Sequence, residues 1–428
     1  MSKFQIALLV IFGFFIFLAV LVFSLYRGAS SSQGSVTIWG SIEAPLFNTW
    51  LNEAGLNQNA SLLINYRPFP EEALEEEFTE ALAKGVGPDL IIIRESDFWQ
   101  SRGKLVPIPY ESLSLRDFKE AFAEGGEIFL TPEGIYALPL YTDPLVLYYN
   151  RDLLSAAGIA KPLGFWDEIY NQANKLTKRD PAGNLIQSVI SLGEWRNIPN
   201  YKEVLSLLML QAGTPITGFV NNRFEVLLDD NLTSSPIMPA EAALNFFTQF
   251  SNPAKSFYSW NRTLPDAQTH FAIGDASYYL GFAGELESLK RKSPTLNFGV
   301  TRVPQSRTSE KVTTFGKIYG LALSRGTRSS ALALEIARTL VGKNNAAKFS
   351  QVSGLPTLRR DLLSDRSEDP ALSVFQEAAL QARSWVDPNP SATKEIVAEM
   401  IDNVTSGRLR TSEAINNAAR EFESLTKD

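Results

Sequence analysis

An unbroken apolar run opens the chain, and two hydrophobic periodicities alternate after it. Ile6 to Phe23 is apolar throughout, and Ser24, Leu25 and Tyr26 extend it. Such a run suffices for one membrane-crossing helix. It exceeds the apolar core of an ordinary signal peptide, and no small-x-small cleavage pattern follows. An uncleaved transmembrane signal anchor is expected over residues 1–27, with 28–34 as a flexible spacer. Lys3 and Arg27 flank the run, so the charge bias that sets orientation is slight.

Ser35 to Gly40 then alternates as a strand does. Ile42 to Gly55 has Leu46, Trp50 and Leu51 on one side and predicts a helix. Leu62 to Tyr66 predicts a second strand, Glu71 to Lys84 a charged amphipathic helix, and Leu90 to Ile93 a short buried strand. Strand, helix, strand, helix, strand is the βαβ arrangement of a parallel sheet. The five glutamates between Glu71 and Glu77 read as the solvated face of their helix.

From Ala137 to Leu176 the pattern changes. Pro139 and Pro144 bracket Tyr141, Thr142 and Asp143. Each Pro fixes its own φ and pushes the residue before it toward an extended shape, which suits a stiff crossing between two bodies. Leu145 to Tyr149 reads as a strand covered on both faces. Asn150 to Gly158 reads as a helix stopped by a glycine. A further helix carries Trp166, Ile169, Tyr170, Ala173 and Leu176. Helices are also predicted over 201–213, 240–250, 329–340, 370–383, 391–406 and 411–425. Strands are predicted near 224–230 and over 317–324, with a tight turn at Asp180 to Asn184.

Composition narrows the chemistry. A charged fraction of 20% beside 44% hydrophobic residues is ordinary for a chain with a large core. The net charge is −7 with no long basic run, which argues against nucleic acid as a partner. With no cysteine, thiolate metal sites, disulfides and thiol nucleophiles are excluded. His270 is the single histidine, so a multi-histidine metal site is excluded too. No Walker or dinucleotide glycine motif stands at a strand–helix junction. No metal and no cofactor is implied.

The ordered set Pro139, Tyr141, Asp143, Leu147, Tyr149, Asn150, Ala157, Gly158, Pro162, Trp166, Asp167 and Glu168 resembles the signature of the extracellular solute-binding proteins of ABC importers. The resemblance is to the sugar-binding, maltose-binding-protein-like group (family 1). Gly164 and Phe165 stand where that family usually places a Thr or Ser cap. The resemblance covers about Val36 to Leu425. It implies an α/β fold of the periplasmic-binding-protein type II, with two discontinuous lobes and a ligand cleft between them. Lobe 1 would take 35–142 and 299–343, and lobe 2 would take 143–298 and 344–428. The third crossing would lie at Gly354 to Pro356.

Sugars need rings to stack on and polar groups to orient their hydroxyls. Trp39 and Glu43, at the end of the first strand, fall where the family's loop faces the cleft. Core packing and helix N-terminal charge are their alternatives. Tyr141 and Asp143 lie on the crossing, where a plain turn is the alternative for Asp143. Trp195 and Trp260 lie in the polar stretches GEWRN and SWNRT. Gly281 and Phe282 stand where sugar-binding relatives often carry Gly-x-Trp; Phe282 keeps a ring and lacks an indole N–H. Tyr319 opens the strand after the return crossing. Trp50 and Trp166 fall on apolar helical faces and read as core.

The resemblance implies a monomeric, membrane-tethered extracellular receptor, not an enzyme, that passes a small carbohydrate to an ABC permease. One alternative is a receptor or sensor of the same fold for a polyamine, peptide or metal chelate. Acidic cleft residues without stacking aromatics would favour it. The other is a surface-anchored glycan-processing enzyme, for which two close carboxylates, one with a raised pKa, would speak.

Overall fold

The computed structural model describes residues 12–18, 34–58, 62–230, 237–309 and 311–426. Residues 12–18 are helical and exposed. The rest of the anchor expected over 1–27, and the spacer before Gly34, lie outside the described residues. Among the described residues no helix is long and apolar enough to cross a membrane, so the expected anchor gains no support here.

The chain opens with β1 (Gly34–Gly40), α1 (Ala44–Glu53), β2 (Leu62–Pro68), α2 (Glu71–Ala83), β3 (Leu90–Arg94) and α3 (Glu95–Ser101). β1 pairs in parallel with β2 and with β3, as the βαβ pattern predicts. β3 shows why its sequence is a continuous apolar run. Leu90 and Ile92 join one cluster with Phe47 and Trp50 of α1, while Ile91 and Ile93 join another with Leu74 and Phe78 of α2. Alternate side chains of a strand point to opposite faces, and here both faces are covered. Gly40 sits so close to β3 that a Cβ there would lie 3.0 Å from the Ile92 Cβ.

Next come β4 (Ala137–Asn150), β5 (Leu185–Ile190), α4 (Tyr201–Ala212) and a hairpin of β6 (Thr217–Val220) and β7 (Arg223–Val226). β8 (Ala276–Phe282), β9 (Phe298–Thr301) and β10 (Thr314–Ser324) follow. The last helices include α5 (Lys343–Ser353), α6 (Pro370–Gln381), α7 (Pro390–Thr405) and α8 (Thr411–Ser424). One mixed sheet runs through both bodies in the order β2-β1-β3-β10-β4-β8-β5.

β4 is the spine. Its first half, Ala137 to Pro144, pairs with β10, and its second half, Leu145 to Asn150, pairs with β8 and β9. The proline-bracketed crossing is thus strand rather than a connection ahead of one. A bulge makes this possible: Tyr319 faces Tyr141, Gly320 faces Pro139, and the ladder skips Leu140. A bulge is where a strand tolerates a residue that cannot donate an N–H.

Buried side chains divide into two bodies. Leu145 to Leu289 and Trp385 to Phe422 contribute to one core. Val36 to Tyr141 and Ile318 to Phe349 contribute to the other two clusters. Leu358 and Leu363 also pack with the first body, which differs from the expected placement of all of 344–428 in the second lobe. The segment at 354–357 does lie against the first crossing, where the Thr142 N–H donates to the Pro356 carbonyl at 3.0 Å. The chain then returns to the first body. Its next passage is near 382–386, where Ala382 and Arg383 pair with Thr314 and Phe315.

A charged cleft between the two bodies

A cavity of about 440 Å³ lies at the junction of the bodies. That is the size range of small-ligand sites. The first body supplies Glu71, Glu72, Glu75 and Glu76 from the start of α2, and Arg94 to Asp97 from the β3–α3 corner. The second supplies Lys202, Glu203 and Ser206 from α4, and the stretch from Ser384 to Lys394. Phe315 and Lys317 of β10 lie between them. Eight carboxylates face four cations.

Much of this charge is paired. Arg94 bridges Glu71 at 2.5 Å and Asp97 at 3.4 Å. Lys104 pairs with Glu75. Lys202 meets Asp387 at 2.5 Å and donates to the Thr393 hydroxyl at 2.7 Å. Among the described residues Glu72, Glu76 and Glu203 have no such partner, and the carboxylates of the lining outnumber its cations.

Glu95 is the most deeply placed carboxylate. One of its oxygens accepts from the Ile318 N–H at 2.6 Å, and the other accepts from the Ser384 hydroxyl at 3.3 Å. It therefore ties α3 to both β10 and the 382–386 passage. Burial pushes its carboxyl up to about 7, against the opposing pull of Arg94. Both oxygens are engaged by the fold, so the raised value reflects a structural anchor and not a free catalytic acid. Burial likewise pushes Asp97 up.

Of the candidate residues, three touch the cleft from behind. The Lys317 ammonium lies 4.2 Å from the Phe282 ring centroid. Asp143 faces Lys317 across the β4–β10 ladder and accepts from the Gly284 N–H at 2.8 Å. Burial pushes Asp143 up to about 6, with Lys317 opposing. The Tyr319 hydroxyl donates to Glu71 at 3.2 Å.

The other candidates are placed elsewhere. Tyr141 stacks on Tyr319 at 4.4 Å and leans on Phe349, buried. Trp39 packs on Phe69 at 4.5 Å within a core cluster. Glu43 is exposed at the start of α1, and its side chain caps nothing. Trp260 is fully buried and donates to the Asn197 side chain at 2.9 Å. Trp195 packs edge-on to Tyr201 under the Arg196 guanidinium. Gly281 is a close-approach position, since a Cβ there would meet the Tyr279 ring at 2.5 Å.

The cleft aromatics are Phe315 and Trp385, and both turn mainly inward. Trp385 is 5% exposed, stacks on Phe422 and donates to the Ser206 hydroxyl at 3.0 Å. The sequence reading missed it, although it stands in a polar, proline-rich stretch like those around Trp195 and Trp260. The α2 glutamates, read as a solvated face, instead form a wall of the cleft.

The pattern of the bacterial extracellular solute-binding proteins matches residues 55–374. The chain belongs to this family. Two relatives named as binding proteins, from Brucella abortus (strain 2308) and Brucella suis biovar 1 (strain 1330), are similar to this solute-binding protein. Each is 22% identical over 427 residues, spanning 96% of this chain and 97% of its own. Among solved structures, one of a cyclo/maltodextrin-binding protein complexed with maltotetraose is similar at a TM-score of 0.75. It is 16% identical, over 93% of this chain and 99% of that one. An ABC transporter solute-binding protein from Thermotoga lettingae, bound with α-D-tagatose, is similar at a TM-score of 0.67. It is 19% identical, over 92% of this chain and 100% of that one. At these identities the likeness is one of fold: the α/β, periplasmic-binding-protein-like architecture.

Proposed function

We propose that this solute-binding protein is the receptor of an ABC importer, tethered by the apolar run over 6–26, and that it takes a small carbohydrate between its two bodies. The observation that carries this reading is the cleft itself. It lies between two bodies joined through β4 and β10, and hydrogen-bonding side chains line both walls. Asp97, Arg94 and Glu71 on one side and Lys202, Glu203 and Asp387 on the other suit hydroxyls that accept and donate. Hinge closure would bring the walls together over the solute. It would also present a composite surface to a permease. Two of the similar structures carry maltotetraose and tagatose, which supports a sugar here. Asp143, Phe282 and Tyr319 form the floor behind the lining, with Lys317 reaching from it into the cleft.

A second reading has its own observation. Carboxylates outnumber cations two to one, and the aromatics turn inward, so a cationic solute such as a polyamine is the competing ligand class. A thermal-shift panel on the full chain in detergent, with neutral sugars, amino sugars and polyamines at low and high salt, separates the two. Saturating ligand raises the melting temperature by linkage. A salt-insensitive shift with neutral sugars supports the carbohydrate receptor. A shift with polyamines only, fading with salt, replaces it by the second reading.

A further inference from the structure

We propose that Trp99, Phe219 and Phe224 form an aromatic clasp that joins the two bodies at the rim of the cleft and biases it toward closure without solute. Trp99 lies on α3, where its neighbour Phe98 is buried in the first body. Phe219 and Phe224 face each other across the β6–β7 hairpin. That hairpin belongs to the second body. The Thr217 hydroxyl donates to the Val386 carbonyl at 2.7 Å, and Ile216 and Leu228 at its base enter the second core. Asn221 and Asn222 close it at φ 50° and 63°, the left-handed pair that a tight hairpin turn requires.

The rings meet across the gap. Phe224 stacks on Trp99 at 4.2 Å and 30°, and Phe219 lies 5.8 Å from the same indole. The Arg102 guanidinium lies 3.7 Å from the Trp99 centroid. A ring and a guanidinium thus both press on this one indole. The contact borders the cleft on both sides: Gln100 follows Trp99, and Val386 lies between Trp385 and Asp387.

A contact made only when the bodies approach stabilises the closed form by its full free energy. Aromatic pairs and a cation over a ring together shift a two-state ratio by about tenfold. Apparent affinity scales with the fraction already closed. The clasp therefore sets how tightly the cleft holds its solute, a consequence that rests on the proposed receptor function. The bias toward closure does not rest on it.

The absence of cysteine gives a clean test on the full chain in detergent. Lys84→Cys on the first body and Glu399→Cys on the second are exposed positions for a nitroxide pair. Pulsed electron resonance then reads the inter-body distance with no solute present. The expected result is one dominant distance in the labelled parent and a distribution moved toward longer distances in Trp99→Ala and in Phe224→Ala. Trp99→Phe should stay near the parent. Should Trp99→Ala fail to fold, the half-exposed Phe224 carries the test from the other body. Unchanged distributions in alanine variants that still melt cooperatively overturn the clasp. Opening in those variants while no panel solute binds keeps the clasp and removes the receptor reading. Solute binding with unchanged distances removes the clasp alone. Where a solute is found, Trp99→Ala should weaken it about tenfold.

Discussion

The interior of the cleft and its rim are built from opposite materials. Inside, carboxylates and cations face one another, and the two rings present turn into the core. At the rim, three rings and a guanidinium meet across the gap. Charged groups that keep access to water discriminate among solutes through hydrogen bonds and add little net affinity by themselves. Apolar surfaces that lose water on contact add closure energy with little selectivity. Under the proposed function and clasp the difference is a division of labour: the interior would choose the solute, and the rim would set how long the cleft stays shut.

Substitutions sharpen that contrast, and the largest effect should fall outside both regions. Trp260 is fully buried and hydrogen-bonded, so Trp260→Ala should cost about 3–5 kcal/mol of stability in denaturant unfolding. Solute affinity of the folded fraction should stay unchanged. An affinity loss without a stability loss would return Trp260 to the site.

Lys202→Met comes next, because it leaves Asp387 at 3% exposure without its ammonium. Breaking one side of such a pair costs about 3 kcal/mol, and Asp387→Asn in the same chain should recover part of it. A cost under about 1 kcal/mol would show that water reaches the pair.

The pH dependence has two opposing parts. Glu95 and Asp143 have raised folded values, about 7 and about 6. Their contribution is full below the ordinary carboxylate range and is lost as pH rises through those values. His270 is buried, and burial lowers its pKa. Its contribution is present above the ordinary histidine value, near 6.5, and falls away as pH drops below it. The carboxyl part should therefore lower the melting temperature as pH rises from the ordinary carboxylate range, near 4.5, to about 7, and Glu95→Gln should flatten that decline by on the order of 1 kcal/mol or more. An unchanged slope would mean that Glu95 is not anchored as described. Glu72→Gln should be the smallest change, within about 0.5 kcal/mol of the parent in stability, while weakening a cationic solute and sparing a neutral one.

Much of the frame was legible because both faces of β3 and the apolar side of α2 leave a period in the sequence. The crossing was legible as extended chain, although the bulge that turns it into strand depends on Gly320 and Tyr319, far along the chain. The site was less legible. A polar stretch around a tryptophan does not by itself put the ring in the site: Trp260 is buried, and Asn197 satisfies its indole N–H from another loop. Glutamates on an amphipathic helix were read as solvated, yet a second body faces them. α5 went unpredicted because Ala346 and Phe349 are its only buried residues. The clasp hairpin carries Asn-Asn instead of the stronger Asn-Gly signal.

The measurement closest to the central claim is titration calorimetry of the full chain with the best panel solute, repeated in Lys317→Met and Asp97→Asn. Both side chains line the cleft. The account predicts one site per chain, with affinity falling at least tenfold in each variant while melting stays cooperative. Unchanged affinity in both variants would place the solute elsewhere and contradict the assignment of this cleft.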